Sequence, residues 1–259
     1  MIAADLAPGE VVLERASRSF DVRADQGRTV KEVLLRREAN AHGPPPVRAL
    51  DDVTLTISPG ETVGMVGRNG AGKSSTLLAL AGIIPLHSGR AACGGRVVTL
   101  LELGAGFSRD FSGRENAYLN GALHGLRRED IAARMPAIEA FSGLGEFMDV
   151  PVRTYSAGMF LRLGFAIAAH LDADVMLIDE VLAVGDEAFQ RRCEDRIATR
   201  IAEGMTLVLV SHDLGAVERV CERTVVLDTG KVGFDGPTAE ALVHYRRLAG
   251  ERSEEQVRA

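Results

Sequence analysis

Nine residues, GRNGAGKSS at 67–75, combine three glycines with a lysine and two serines. Gly67, Gly72, Lys73 and Ser74 match the P-loop pattern G-x-x-x-x-G-K-[ST], in which glycines let backbone N–H groups approach phosphate oxygens without an intervening Cβ. The pattern predicts that Lys73 reaches the β- and γ-phosphates and that the Ser74 hydroxyl binds Mg²⁺, while Ser75 contacts the α-phosphate. The predicted site for a triphosphate nucleotide comprises Gly67, Arg68, Asn69, Gly70, Ala71, Gly72, Lys73, Ser74 and Ser75.

Two acidic residues end a short apolar run, VMLIDE at 175–180. Asp179 fits the carboxylate that holds Mg²⁺ in P-loop proteins. Glu180 fits a base that orients or deprotonates the attacking water. The alternative is that both carboxylates only favour the start of a helix, where negative charge is stabilising.

The elements around these residues predict an α/β fold. TVGMVG (62–67) is a predicted strand before the loop, and KSSTLLALAGII (73–84) is a predicted helix after it. The runs VMLID, MTLVLV and TVVLD are short and apolar on both faces, and helical segments separate them, which indicates a mostly parallel sheet covered on both sides. Residues 108–172 have helical spacing and little strand signal.

Composition excludes several classes of protein. The chain has 259 residues, 46% hydrophobic and 25% charged, and a net charge of −6, which argues against binding nucleic acid through bulk positive charge. Its three cysteines are scattered, as expected for reduced thiols in the cytosol. The N-terminus lacks the apolar stretch of a signal peptide, and no run approaches the roughly 20 apolar residues of a membrane span. We expect a soluble chain whose membrane role, if it has one, comes through a partner.

The segment YSAGMFLRLGFAIA (155–168) resembles the ABC ATPase signature, whose usual form is LSGGQ. Ser156 and Gly158 match that form, whereas Tyr155, Ala157 and Met159 depart from it. The resemblance implies that Ser156 and Gly158 face the γ-phosphate bound by a second subunit. ATP would then lie between the two copies of a head-to-tail homodimer.

Further motifs extend the resemblance from about residue 10 to 245. His212 follows an apolar strand, as the family's switch histidine does. The resemblance implies that His212 contacts the γ-phosphate. Asp186 matches the D-loop aspartate near the dimer seam. The resemblance implies one ABC nucleotide-binding domain over residues 1–259, with a RecA-like, mostly parallel core, an antiparallel β subdomain and a helical subdomain at about 108–172. No C-terminal carbohydrate-binding domain is expected.

Two family elements match less closely. The Q-loop should supply a glutamine near residue 100; Glu102 is the nearest polar residue and lies one position out of register. Its carboxylate could still bind Mg²⁺ or water. Phe20, the only aromatic residue upstream of the P-loop, is the candidate for stacking on adenine, with a core packing role as the alternative.

The string LLELGAGF…GRENAYLNG, together with IDEVLAVGDEAFQRRC, resembles one branch of the family: the ATP-binding subunits of polysaccharide exporters. This implies an ATPase that powers export of a lipid-linked glycan, of O-antigen or teichoic acid type. The implied partners are a second copy of the chain, an integral membrane permease and, mostly through the permease, the glycan. The location is then the cytoplasmic face of the bacterial cytoplasmic membrane. The alternatives are drug or other small-substrate export, or an interaction module without turnover.

Residues 21–48 form a predicted insert that nucleotide chemistry does not require. Within it, 27–39 is a predicted amphipathic helix, followed by three prolines that favour an extended linker. We expect this helix to contact the permease or an anionic glycolipid head group; the alternative is a solvated flap.

Overall fold

The computed structural model describes residues 5–20, 46–101, 103–180 and 185–258. The strands are β1 (Val11–Phe20), β2 (Val47–Ile57), β3 (Thr62–Val66), β4 (Ser88–Cys93), β5 (Val97–Leu100), β6 (Val175–Asp179), β7 (Thr206–Val210), β8 (Arg223–Asp228) and β9 (Lys231–Pro237). The α-helices are α1 (Lys73–Leu80), α2 (Gly113–Leu123), α3 (Arg128–Ser142), α4 (Ala157–Ala169), α5 (Glu187–Ala202), α6 (Leu214–Val220) and α7 (Thr238–Arg258).

The larger sheet has the strand order β5-β6-β7-β3-β8-β9. Its strands run parallel except β9, which pairs antiparallel with β8. Because parallel strands end at the same edge of a sheet, the segments that follow β3, β6 and β7 emerge together. The predicted P-loop follows β3, and His212 lies just beyond β7. Asp179 is the last residue of β6 and Glu180 the next one, so the topology accounts for the convergence of these residues.

Alternate residues of the central strands enter two different cores, which is why these strands are continuously apolar. On β6, Met176 and Ile178 pack in the cluster that contains Phe165 and Phe189. Val175 and Leu177 pack on the other face, with Leu77 and other residues of α1. The cysteines Cys93, Cys193 and Cys221 are buried and unbridged, and burial raises their thiol pKa values to about 11, 12 and 12.

The smaller sheet is antiparallel, with the order β2-β1-β4. Val11 pairs with Ile57 on one side and with Cys93 on the other, and these side chains join the core beside α1. The predicted α/β fold, with a mostly parallel sheet and an antiparallel β region, is confirmed. The sequence did not predict β4 and β9.

Helices α2, α3 and α4 lie between residues 108 and 172, where the helical subdomain was predicted. They share a core of their own that includes Ile131, Ile138 and Leu163. Within the parts of the chain that the structure describes, no helix is both long and apolar enough to span a membrane. The predicted helix at 27–39 lies outside the described residues, whereas the last two residues of the predicted insert, Val47 and Arg48, begin β2.

Candidate functional site

The P-loop connects the fully buried strand β3 to α1 through backbone conformations that require glycine. Gly70 and Gly72 have φ angles of 79° and 106°, in the left-handed region. A Cβ on Gly67 would collide with the carbonyl oxygen of Leu227, and one on Gly72 with that of Ala49. The loop is therefore shaped by close backbone packing on both sides, and a side chain at these positions would displace it.

Lys73 is buried, with 7% of its surface exposed, and its ammonium group is held inside the loop. Its Nζ donates to the carbonyl oxygens of Gly67 at 2.7 Å and Arg68 at 3.1 Å. Burial lowers the pKa of Lys73, and the charges of Glu180 and Asp179 oppose that shift. The ammonium group thus lies within the electrostatic reach of both predicted acidic residues.

The first turn of α1 provides donors for an anion. Gly72 caps the helix without a side-chain acceptor, so the N–H groups of the first turn remain available. Ser74 is exposed and Ser75 half-buried at this end of the helix. Loop glycines, lysine and helix N-terminus together form a cradle that suits phosphate groups.

Ser74 and Asp179 fit Mg²⁺ by the chemistry of their donors. A hydroxyl and a carboxylate are the hard oxygen ligands this ion prefers, and Mg²⁺ at nucleotide sites is usually held by one or two carboxylates together with substrate phosphates. No cluster of three or more His, Cys, Asp or Glu side chains suited to a metal occurs among the described residues. Asp179 ends β6, opposite Val210 of β7.

Glu180 and His212 contact each other across the ends of β6 and β7. The Glu180 Oε1 atom lies 2.7 Å from Nε2 of His212, and each side chain is about half exposed. The backbone of Glu180 has φ = 53°, which is uncommon outside glycine and costs on the order of 1 kcal/mol. Its N–H donates to the carbonyl oxygen of Val210 at 3.0 Å, and that bond holds the residue in place.

A cleft of about 400 Å³ joins His212 to the first half of the P-loop. Its lining residues are Arg68, Asn69, Gly70, Ala71, His212, Asp228, Thr229 and Tyr245. The turn after β8 is bonded to the loop, because the Gly230 N–H donates to the carbonyl oxygen of Ala71 at 3.0 Å. The structure therefore brings His212 and the P-loop to one cavity, and it adds Tyr245 of α7, which no motif in the sequence indicated.

Phe20 is the last residue of β1 and pairs with Val47 of β2. Its ring is half-buried, and the Arg18 guanidinium carbon lies 4.9 Å from the ring centroid. Ala49 lies two residues after Val47 in β2, and its carbonyl group packs against Gly72 of the P-loop. Phe20 is thus close in the sheet to the loop, and its role in stacking on adenine stays a prediction.

Ser156 and Gly158 lie at the exposed start of α4. The Ser156 Oγ atom caps the helix by accepting from the N–H of Met159 at 3.2 Å. A Cβ at Gly158 would meet only that oxygen, at 3.9 Å, so the space above it is open. Neither residue lines the cleft beside the P-loop in the part of the chain that the structure describes. The open helix start suits the predicted role toward another subunit, which stays a prediction.

Asp186 caps α5 and contacts α4. Its Oδ1 accepts from the Phe189 N–H at 2.9 Å, and its Oδ2 pairs with the Arg162 guanidinium of α4. The Phe189 bond, followed by the charges of Arg162 and Arg192, lowers the pKa of Asp186. The sequence placed Asp186 at a dimer seam and did not indicate this intrachain contact. Glu102, the predicted Q-loop residue, lies outside the described residues.

Comparison with protein families identifies the chain. The family model described as ABC transporter matches residues 50–183, which contain the P-loop, the signature segment and the acidic pair. The chain belongs to the ABC transporter family, as the motifs predicted.

The similar curated proteins include two described as the O-antigen export system ATP-binding protein RfbB. The chain is 45% identical to that of Myxococcus xanthus over 91% of its own length and 55% of the relative's. It is 43% identical to that of Klebsiella pneumoniae over 77% of its own length and 81% of the relative's. It is also 33% identical to the teichoic acids export ATP-binding protein TagH of Shouchella clausii, over 91% of this chain and 65% of that protein. The chain thus spans about half the length of the Myxococcus relative.

Two solved structures share the fold. One, described as the ATP-binding subunit of an ABC transporter, has a TM-score of 0.71 at 22% identity and 93% coverage of both chains. The other is a dimeric ATP-binding cassette in a post-hydrolysis state, bound to ADP and Pi. It has a TM-score of 0.69 at 18% identity, with 88% of this chain and 98% of that one covered. At these identities the likeness concerns the fold alone.

Proposed function

We propose that this chain is the ATP-hydrolysing subunit of an ABC exporter that moves a lipid-linked polysaccharide, of O-antigen or teichoic acid type, across a bacterial cytoplasmic membrane. The observation that carries the enzymatic part is the convergence of Lys73, Asp179, Glu180 and His212 at one edge of the larger sheet. The names of the relatives support the export part.

Some of these residues bind the nucleotide, and others activate the attacking water. The P-loop backbone and Lys73 bind the phosphates, and Phe20 stacks on adenine. Ser74 and Asp179 would hold Mg²⁺, which would supply positive charge to the phosphates. Glu180 orients the water and accepts its proton as ADP and phosphate form, while His212 holds the Glu180 carboxylate at the γ-phosphate end of the site.

A second copy of the chain completes the site in this proposal. The exposed, capped start of α4 presents Ser156 and Gly158 without a neighbour over Gly158, which suits an approach to the γ-phosphate held by another copy. Asp186 lies near the seam between the copies. The membrane permease is the further partner, and through it the chain sits at the cytoplasmic face and acts on the glycan.

The test is a deletion strain of the organism that carries this chain. We expect loss of the surface polysaccharide and accumulation of lipid-linked glycan inside the cell, both reversed by the wild-type gene but not by the Lys73→Ala gene. Normal surface polysaccharide together with increased sensitivity to a drug would overturn the glycan assignment. Absence of ATP hydrolysis by the purified complex with its permease would overturn the enzymatic assignment.

A further inference from the structure

The carboxylate of Asp186 joins α4, which begins in the signature segment, to α5, which comes after β6. Arg162 lies on α4, six residues after Ser156, and its guanidinium pairs with Oδ2 of Asp186. The other oxygen of the same carboxylate caps α5 through the N–H of Phe189. The start of α5 is therefore tied to the N-terminal half of α4.

Aromatic packing adds to this contact between α4 and α5 beneath the surface. The Arg162 guanidinium carbon lies 5.2 Å from the centroid of the Phe189 ring, which is fully buried. Phe189 of α5 in turn packs edge-on against Phe165 of α4, with centroids 6.1 Å apart. The side chain of Arg162 is 26% exposed and that of Asp186 is 59% exposed, so the ion pair is shielded from solvent on the arginine side alone. The ion pair and the aromatic contacts thus join α4 to the start of α5.

The next turns of α5 reach Glu180 and His212. Gln190 and Glu194, which lie four residues apart on α5, line a pocket of about 260 Å³ together with Glu180 and His212. The helix that Arg162 holds at its start is thus a wall of the pocket in which Glu180 and His212 meet. A shift of α5 would change the space around the Glu180 carboxylate without touching the P-loop.

We propose that Arg162 is a positioning residue for ATP hydrolysis, acting through Asp186 and α5 on the pocket of Glu180 and His212. The inference rests on the proposed ATPase function and adds to it a residue that contacts no substrate. Lys73 and the P-loop form their contacts independently of Arg162. Loss of Arg162 should therefore slow the chemical step and leave ATP binding unchanged.

The experiment compares Arg162→Met with wild type in steady-state ATP hydrolysis and in nucleotide titration. We expect kcat to fall about tenfold, because a displacement of about 1 Å near the reacting groups can lower a rate by as much as about 100-fold. The KM and Kd for ATP should not change. Arg192→Met is the matched control, because the Arg192 guanidinium also lies 5.2 Å from the Phe189 ring but lowers the pKa of Asp186 through its charge alone. Its kcat should stay within about twofold of wild type.

Two further variants keep the test decisive if Arg162→Met does not fold. Asp186→Asn retains an oxygen for the Phe189 N–H and removes the charge that pairs with Arg162, so it should lower kcat at least to the same extent. Adding Arg162→Met to Asp186→Asn should cause no further loss, because the contact that Arg162 makes is already broken. Arg162→Lys, which keeps a positive charge, should restore part of the rate.

Three outcomes would overturn the inference: wild-type kcat in Arg162→Met, an equal loss in Arg192→Met, or additive losses in the double variant. Failure of the proposed function is a different result, namely a wild-type protein that does not hydrolyse ATP at all. The two failures are thus distinguishable in one assay.

Discussion

The carboxylate of Glu180 and the imidazole of His212 lie 2.7 Å apart, at the ends of neighbouring parallel strands. Glu180 makes this contact from a left-handed backbone conformation, with φ of 53°. Because that conformation is strained in a residue other than glycine, it persists only where surrounding contacts over-determine it. Strain at this position, next to the predicted Mg²⁺ ligand Asp179, favours a functional role for the pair over a purely structural one.

Glu180→Gln should abolish turnover and preserve binding. The amide cannot accept a proton from water, and general base catalysis is worth about 10²–10⁴ in rate, so kcat should fall by at least about 100-fold. The Kd for ATP should stay near the wild-type value, and ATP-bound dimer should accumulate on size exclusion. Glu218→Gln, an exposed acidic position on α6, is the charge-matched control and should hydrolyse ATP normally. Turnover near the wild-type rate in Glu180→Gln would contradict the assignment.

Lys73→Ala should weaken ATP binding itself. A charge-assisted hydrogen bond is worth about 1.5–3 kcal/mol, so the Kd should rise by roughly 10- to 100-fold in a nucleotide titration. The control is Lys231→Ala, which removes an exposed lysine paired with Asp51 at 3.2 Å. A surface ion pair of that kind contributes about 0–1 kcal/mol to stability and should not alter the Kd. Unchanged affinity in Lys73→Ala would mean that the loop is not the nucleotide site.

Much of the site was predictable because its parts are local in sequence or lie at strand ends. The P-loop residues are contiguous. Asp179 ends the apolar strand β6, Glu180 follows it, and His212 lies two residues after the apolar strand β7. The direct contact of Glu180 with His212 was not predicted, since Glu180 makes it from a left-handed backbone conformation. The pair of Arg162 and Asp186 was also missed, because it depends on how two helices are rotated about their axes.

The strands that the sequence missed lack a strand signal. Strand β4, SGRAAC, has small and polar residues in place of β-branched ones, and β9, KVGFDGP, contains two glycines and a proline. Both are formed by pairing with stronger neighbours, β4 with β1 and β9 with β8. Tertiary context thus overrides weak local preference at these two edges of the sheets.

His170 should make the fold less stable in mild acid. It follows α4, and burial lowers its pKa. The hydrogen bond of its ring to the Ala166 carbonyl oxygen opposes that shift, and the charge of Arg196 adds a smaller lowering contribution. Because the unfolded chain binds the proton more readily, stability should be fully present above about pH 6.5 and fall as pH drops through the lower, folded pKa. Thermal melts of wild type and His170→Gln between pH 5 and 8 check this. The variant should have a flatter profile below pH 6.5, and an identical slope would contradict the prediction.

Ser156→Arg should abolish hydrolysis while each monomer still binds ATP. The bulky cation would occupy the open space at the start of α4, where the γ-phosphate of another copy is expected, and would keep two copies apart. The substitution also removes a helix cap, which costs about 1 kcal/mol. Ser112→Arg is the matched control, because Ser112 caps α2 in the same way, accepting from the Glu115 N–H at 3.2 Å. It should lose similar stability and keep its turnover. Hydrolysis by Ser156→Arg at the wild-type rate would contradict a composite site between two copies, whereas equal loss in both variants would assign the effect to capping alone.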